Sequence, residues 1–355
     1  MAGAPDGYAA PMTPPPDTPS DPPADTPADT PADGGSARPV LVVAGGTGLV
    51  GRRLVAATKD AWDVVVLTRE VRGDEPDGAR AVAWTPTAAR DGDEAHLTGL
   101  AALLSGADVV VNLAGASIAG GRFDDAHKRR ILDSRVDATT TLAAAVQRAE
   151  RPPRTFFQTS ASGIHGDRGD EVLNEASPPH PDDFLADVGI AWEDAARPIG
   201  DVTRLVIGRI GIVFAPEAKA WRQMLLPIRL FVGGPLGSGR QWWPWIHAED
   251  LIRAMLFLVG PPGAPDPDAL PPAGTYALTA PEPARQIDVA RAAAKRLGRP
   301  AIVPAPAFAL RLALGGLADH LLLSSTNLRP ARLQAEGFRF RYRTIDDAAE
   351  ALLSD

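Results

Sequence analysis

The 355-residue chain contains no cysteine. That excludes disulfides, thiolate metal sites and cysteine nucleophiles. It also lacks any apolar run of the roughly 18 residues that a membrane-spanning helix needs, so no membrane partner is expected. A basic surplus is missing too: 44 acidic against 36 basic side chains leave a formal charge of −8. Residues 1–38 hold six Asp and one Arg, a balance of −5 that leaves −3 for the remainder. A nearly balanced, slightly acidic body argues against a nucleic-acid surface. The six histidines, at 96, 127, 165, 180, 247 and 320, lie far apart and show no ligand spacing, so no metal is expected.

Hydrophobic clusters are absent from residues 1–38, ten of which are Pro, and Asp25–Ala28 repeats directly as Asp29–Ala32. This composition predicts a disordered Pro/Asp-rich tail over 1–38. The basic start and apolar centre of a secretory signal are lacking, which predicts a cytoplasmic protein.

What the chain does have begins at Val40-Leu41-Val42-Val43, a β-branched strand running into a glycine turn and then a helix from about Leu49. Gly45, Gly48 and Gly51 recur at a three-residue step. The first lets the chain turn tightly, the second admits a pyrophosphate against backbone, and the third lets helix and strand pack closely. Free N–H groups around Thr47, Leu49 and Val50 and the helix dipole favour phosphate there. A second strand, 63–69, follows, and the pattern predicts a dinucleotide site. NAD-selective sites carry an acidic side chain at the end of this strand; here stand Thr68 and Arg69. A guanidinium pairs with a 2′-phosphate, so NADP(H) is favoured over NAD, unless Arg69 merely closes a surface loop.

Asp108–Ala116 reads as a buried parallel strand whose exit, Leu113-Ala114-Gly115, offers small groups beneath a nicotinamide ribose. On the long helix predicted over 124–150, Arg130 and Arg135 are the cations expected to face the cofactor. Ser160, Ser162 and His165 leave the fifth strand at its C-terminal end, where an open α/β sheet binds ligand. The hydroxyls could bond a substrate carbonyl and His165 shuttle a proton, or all three could simply satisfy a turn and pack. A sixth strand is predicted over 202–213, ending at Val213, and a seventh over 274–279. Between them, residues 233–247 combine glycine turns with Trp242, Trp243 and Trp245. Arg240, Trp243 and His247 are the residues there expected to wall a substrate pocket, the alternative being a packing seam. From Ala284 onward short helices predict a small helical region. The expected organisation is a tail over 1–38, a Rossmann-type doubly wound parallel sheet over 39–280, and a C-terminal helical domain over 281–355.

Seven motifs then carry a resemblance: the glycine turn, Asn112–Gly115, Ser134-Arg135-Val136, Ser160–Gly163, Arg209–Val213, Gly233–Gly239 and Pro244–His247. In order and over about residues 39–353, the chain resembles the atypical extended short-chain dehydrogenase/reductases of the NAD-dependent epimerase/dehydratase family, the nucleoside-diphosphate-sugar epimerase-like group with a helical C-terminal domain. The resemblance implies NADP(H) contacting the glycine turn, Thr68 and Arg69, Leu113 and Ala114, the helix at Arg130–Arg135, and Val213. In resembling proteins the helices after the fourth and fifth strands pair between subunits, which leaves a homodimer open.

The chain departs from the family's usual Tyr-x-x-x-Lys pair, in which Lys lowers the Tyr pKa. Those places fall near Leu185 and Gly189, neither able to transfer a proton, and the usual Ser/Thr falls on Ala161. Two functions are therefore expected as alternatives. One is an NADP-dependent oxidoreductase or epimerase acting on a small polar substrate, with a nucleotide sugar as one candidate. The other is a non-catalytic NADPH-binding sensor that signals to a protein partner.

Overall fold

A computed structural model describes residues 38–263 and 269–354. The expected disordered tail, Arg38 apart, lies outside the described residues. Seven strands form one sheet: β1 (Val40–Ala44), β2 (Asp63–Thr68), β3 (Ala79–Ala83), β4 (Val109–Asn112), β5 (Thr155–Ala161), β6 (Arg204–Ile210) and β7 (Gly274–Leu278). All neighbours are parallel, in the order β7-β6-β5-β4-β1-β2-β3. Chain order reverses between β1 and β4, the switch point at which such sheets bind ligands. This is the Rossmann-type doubly wound sheet that the sequence predicted.

Helices cover both faces because alternate side chains of each strand point to opposite sides. Val43, Val66, Val111, Phe157 and Val206 pack with Leu54 and Val55 of α1 (Leu49–Thr58) and with Leu251, Met255 and Leu258 of a helix over Ala248–Val259. After the short helix α2 (Ala88–Asp91), Val42, Val65, Val110 and Phe156 face Leu100 and Leu104 of α3 (Glu94–Leu104), together with Leu142 and Val146 of the long helix α4 (Asp125–Arg148). Burial on both faces explains the near-continuous apolar strands. No helix among the described residues is long and apolar enough to cross a membrane.

The predicted sixth strand is shorter than expected. It runs Arg204–Ile210 and breaks at Gly211, where a Cβ would lie 2.0 Å from the Pro244 carbonyl oxygen. Beyond the break, Ile212–Phe214 pairs in parallel with Trp245–His247 instead of with the main sheet. Trp245 is fully buried and stacks on Phe214 at 6.2 Å between centroids. Part of the Trp-rich stretch is thus a packing seam.

The C-terminal region holds helices over Gln286–Leu297, Ala307–Leu314, Ala331–Ala335 and Ile345–Leu353. The first and last join Trp221, Trp243 and Trp245 in one apolar cluster. Residues 322–326 are tied to the loop after β5 and to Trp242-Trp243. Ser325 Oγ donates to the Gly169 carbonyl at 2.6 Å and accepts from the Trp242 N–H at 3.0 Å. Thr326 Oγ1 donates to the Gly166 carbonyl at 2.7 Å.

Candidate functional site

At the end of β1, Gly45 has φ +80°, and a Cβ there would stand 2.8 Å from the Leu113 carbonyl carbon and oxygen. A Cβ on Gly51 would meet the Gly46 Cα at 2.5 Å. Both glycines are therefore demanded by the protein's own packing. Gly48 is different: its φ is −76°, and its Cβ would meet nothing nearer than the Gly45 carbonyl at 3.4 Å. Gly48 and Thr47 are exposed, and Leu49 and Val50 half-buried. Gly48 is the N-cap of α1 with no side-chain cap, and the first turn carries no acid. The uncapped N–H groups and open backbone fit an anion such as a pyrophosphate.

Beside this turn, the Leu113 N–H donates to the Ala44 carbonyl at 2.8 Å. Buried Asn112 shapes the exit of β4, its Oδ1 accepting from the Ala114 N–H at 3.1 Å. Leu113 and Ala114 are half-buried and Gly115 exposed. At the end of β2, Thr68 Oγ1 donates to the Glu70 carbonyl at 3.0 Å. Arg69 is exposed and, among the described residues, makes no ion pair. The neighbouring Glu70 carboxylate is taken by Arg72 at 2.7 Å.

A cavity of about 250 Å³ opens at the ends of β5 and β6. Ser162, Arg135 and Trp243 all line it. Arg135 is 9% exposed, donates to the Ala116 and Ile131 carbonyls at 3.0 Å each, and lies 4.9 Å over the Trp192 ring. Burial lowers its pKa to about 10, so it stays cationic at neutral pH. Arg130 is exposed and bonds His127 Nδ1 at 2.6 Å, away from the cavity lining.

The other expected catalytic residues lie behind the wall. Ser160 Oγ donates to Glu193 at 2.7 Å, and the Glu193 carboxylate accepts from Arg209 Nε and Nη2 at 2.8 and 3.0 Å. His165 is fully buried with Nε2 3.4 Å from Arg209 Nη1. Burial, and then the Arg209 charge, lower the His165 pKa to about 4, so it is neutral at physiological pH. Ser160 and His165 thus enter one buried network, while Ser162 faces the cavity.

Of the expected pocket-wall residues, only Trp243 lines this cavity. Arg240 is exposed, with its N–H donating to Ser238 Oγ at 3.1 Å. His247 accepts from the Glu249 N–H at 3.2 Å as the N-cap of Ala248–Val259, and its ring lies 3.8 Å from that of Tyr342. Burial lowers its pKa to about 4. Val213 is half-buried, paired with Ile246.

Leu185 and Gly189, near which the absent Tyr and Lys were expected, also line the cavity. Leu185 and Gly189 sit on α5 (Phe184–Ala196), and a Cβ on Gly189 would stand 3.0 Å from the Ile164 Cβ. A lysine stem would have to displace Ile164. The wall is apolar by packing as well as by composition.

Two residues passed over in the sequence meet at the same cavity. Asp183 caps α5, its Oδ1 accepting from the Ala186 N–H at 3.0 Å, and its Oδ2 accepts from His320 Nδ1 at 3.1 Å. Burial raises the Asp183 pKa, but the His320 and backbone hydrogen bonds outweigh it and hold the carboxyl below its usual range. An Asp before a helix is a readable cap signal. Its partner 137 residues away leaves no spacing signal.

Comparison with known proteins agrees with this frame. Residues 41–268 match the model of the NAD dependent epimerase/dehydratase family, and residues 305–352 match a domain of unknown function, DUF1731. An epimerase family protein of Staphylococcus aureus is 34% identical over 88% of this chain and 98% of its own length. One from Staphylococcus haemolyticus is 33% identical, with the same coverage. Among solved structures, human epimerase family protein SDR39U1 with NADPH aligns with a TM-score of 0.75 at 28% identity, covering 88% of this chain and 98% of that one. A nucleoside-diphosphate sugar epimerase from Corynebacterium glutamicum aligns at 0.66 and 31% identity, covering 89% of this chain and 58% of that one.

Proposed function

Because the chain belongs to the NAD dependent epimerase/dehydratase family, we propose that it is an NADP(H)-dependent oxidoreductase or epimerase acting on a small polar substrate. A nucleotide sugar is one candidate, given the name of the Corynebacterium relative. The bound nicotinamide would supply or accept a hydride. Gly45, Thr47, Gly48, Leu49 and Val50 would hold the pyrophosphate, Leu113, Ala114 and Gly115 would pass beneath the nicotinamide ribose, and Val213 would flank the nicotinamide side. Arg130 and Arg135 would supply positive charge near the cofactor. Ser162 would hydrogen-bond a substrate carbonyl in the cavity. Trp243 would wall the substrate.

The observation that carries the choice of NADP(H) is Arg69, an exposed guanidinium at the end of β2 with no ion pair among the described residues. The adjacent acid is already neutralised by Arg72, so a 2′-phosphate meets attraction rather than repulsion. The human relative's structure with NADPH supports the same reading. Titration of the purified protein with NADPH and NADH, before and after Arg69→Glu, tests it. Loss of a charge-assisted pair should weaken NADPH roughly tenfold or more and barely change NADH. Equal losses for both would overturn the assignment to a 2′-phosphate. The other reading, an NADPH sensor without turnover, draws on Leu185 and Gly189 standing where a proton-transfer pair would be.

A further inference from the structure

We propose that Asp183 and His320 form the acid–base pair of this cavity: His320 exchanges a proton with a substrate oxygen, and Asp183 positions it. The inference rests on the reading of the cavity as the nicotinamide and substrate site. Hydride transfer to a carbonyl leaves an oxygen that must gain a proton. The wall where the family's usual pair would stand is Leu185 and Gly189, and Ser160 and His165 are held in the Glu193–Arg209 network. Three titratable side chains line the cavity among the described residues: Arg135, Asp183 and His320. Arg135 keeps its proton, and both Asp183 oxygens are engaged, one by the α5 N-terminus and one by His320. Imidazole remains, the side chain whose ordinary pKa lies nearest neutrality.

Its geometry suits the task. A carboxylate only accepts, so Asp183 holds the proton on His320 Nδ1 and leaves Nε2 to give or take one. Nε2 makes no hydrogen bond to any described residue. Phe123 and Phe184 pack around the ring at 5.4 and 6.4 Å between centroids. The ring sits on a five-residue π turn, Asp319–Leu323, whose Leu322 carbonyl accepts from Gln241 at 2.8 Å and Trp243 at 3.3 Å. Besides Asp183, the charges facing it are Lys128, over the Phe123 and Phe184 rings at 5.1 and 5.7 Å, and Arg135 across the cavity. Asp319, its chain neighbour, is taken by Arg311 at 2.9 Å.

In the reducing direction, the carbonyl carbon accepts the hydride of the dihydronicotinamide and the C=O π pair moves to oxygen. That oxygen takes the proton from His320 Nε2. The carbonyl is reduced, the nicotinamide is oxidised, and the neutral imidazole regains a proton from solvent.

The test uses the full chain, His320→Gln and Asp183→Asn; asparagine keeps the helix cap. NADPH affinity is measured first: failure of the wild type to bind NADPH would overturn the cofactor reading itself. Imidazole ¹⁵N spectra with NADPH present, assigned by the signal lost in His320→Gln, should show the Nδ1–H tautomer. Removing the carboxylate in Asp183→Asn should move the His320 tautomer population toward Nε2–H, because nothing then holds the proton on Nδ1. An Nε2–H tautomer in the wild type, or a tautomer population unmoved by Asp183→Asn, would overturn the pair while leaving cofactor binding intact. With glyceraldehyde as the carbonyl probe, His320→Gln should lower kcat about 100-fold at unchanged NADPH affinity, and Asp183→Asn should shift the pH profile of kcat. A His320→Gln protein that reduces the probe at the wild-type rate would also overturn it.

Discussion

The two ends of this site are built by opposite means. At the proposed cofactor end, β1, β2 and β4 present backbone: a glycine turn, an uncapped helix start and a small-residue strand exit. At the cavity end, side chains from β5, α5, β6 and the C-terminal region meet across long sequence separations. Ser160, Glu193 and Arg209 are bound to one another, as are Asp183 and His320. The first end is set by what the backbone can do locally, and the second by which side chains tertiary packing brings together.

The contrast can be broken first at the buried network. Arg209→Met would leave the Glu193 carboxylate buried without its partner, at a cost of about 3–5 kcal/mol, read as a fall in the urea midpoint. The exposed Arg69→Glu should change stability by less than about 0.5 kcal/mol. Comparable losses would mean that the two ends do not differ in this way.

The backbone side sharpens at the glycines. Gly45→Ala must take a left-handed φ against the Leu113 carbonyl, costing about 2–3 kcal/mol in thermal unfolding. Gly48→Ala should cost less than about 1 kcal/mol yet weaken NADPH, because its methyl group would point into the open space proposed to take the phosphates. A Gly48→Ala protein that binds NADPH as the wild type does would show that this opening is not used.

The ends also separate by pH. His165 and His247 both have folded pKa values lowered from 6.5 to about 4, so the unfolded chain takes up protons first as pH falls. Their contribution is complete above the unfolded pKa and is lost as pH falls from about 6.5 toward 4. Between pH 7 and pH 5, each should remove about 2 kcal/mol, measured by urea denaturation at the two values. His165→Gln should flatten that slope; an unchanged slope would place the proton uptake elsewhere.

The legibility of the site follows the same division. The glycine turn, the Leu113–Gly115 exit and Thr68-Arg69 could be read because each strand and its following turn are contiguous, so their chemistry is written within a few residues. Ser160, Ser162 and His165 were equally visible as polar residues at a strand end. Their different fates depend on strand alternation and on Glu193, Arg209 and Ile164, which lie elsewhere in the chain. His247 and Arg240 were read with Trp243 as one group, but Gly211 ends the main strand and turns that stretch into a seam, leaving Trp243 at the cavity.

The sequence by itself determined the doubly wound parallel sheet and the glycine turn at its switch point, because hydrophobic period and glycine spacing act over short distances. It also determined what was absent: cysteine chemistry and the Tyr-x-x-x-Lys pair. Only the tertiary structure decided which hydroxyl faces the cavity, that α5 approaches too closely for a lysine stem, and that His320 meets Asp183. Those are contacts between residues far apart in the chain, set by packing that no local pattern encodes.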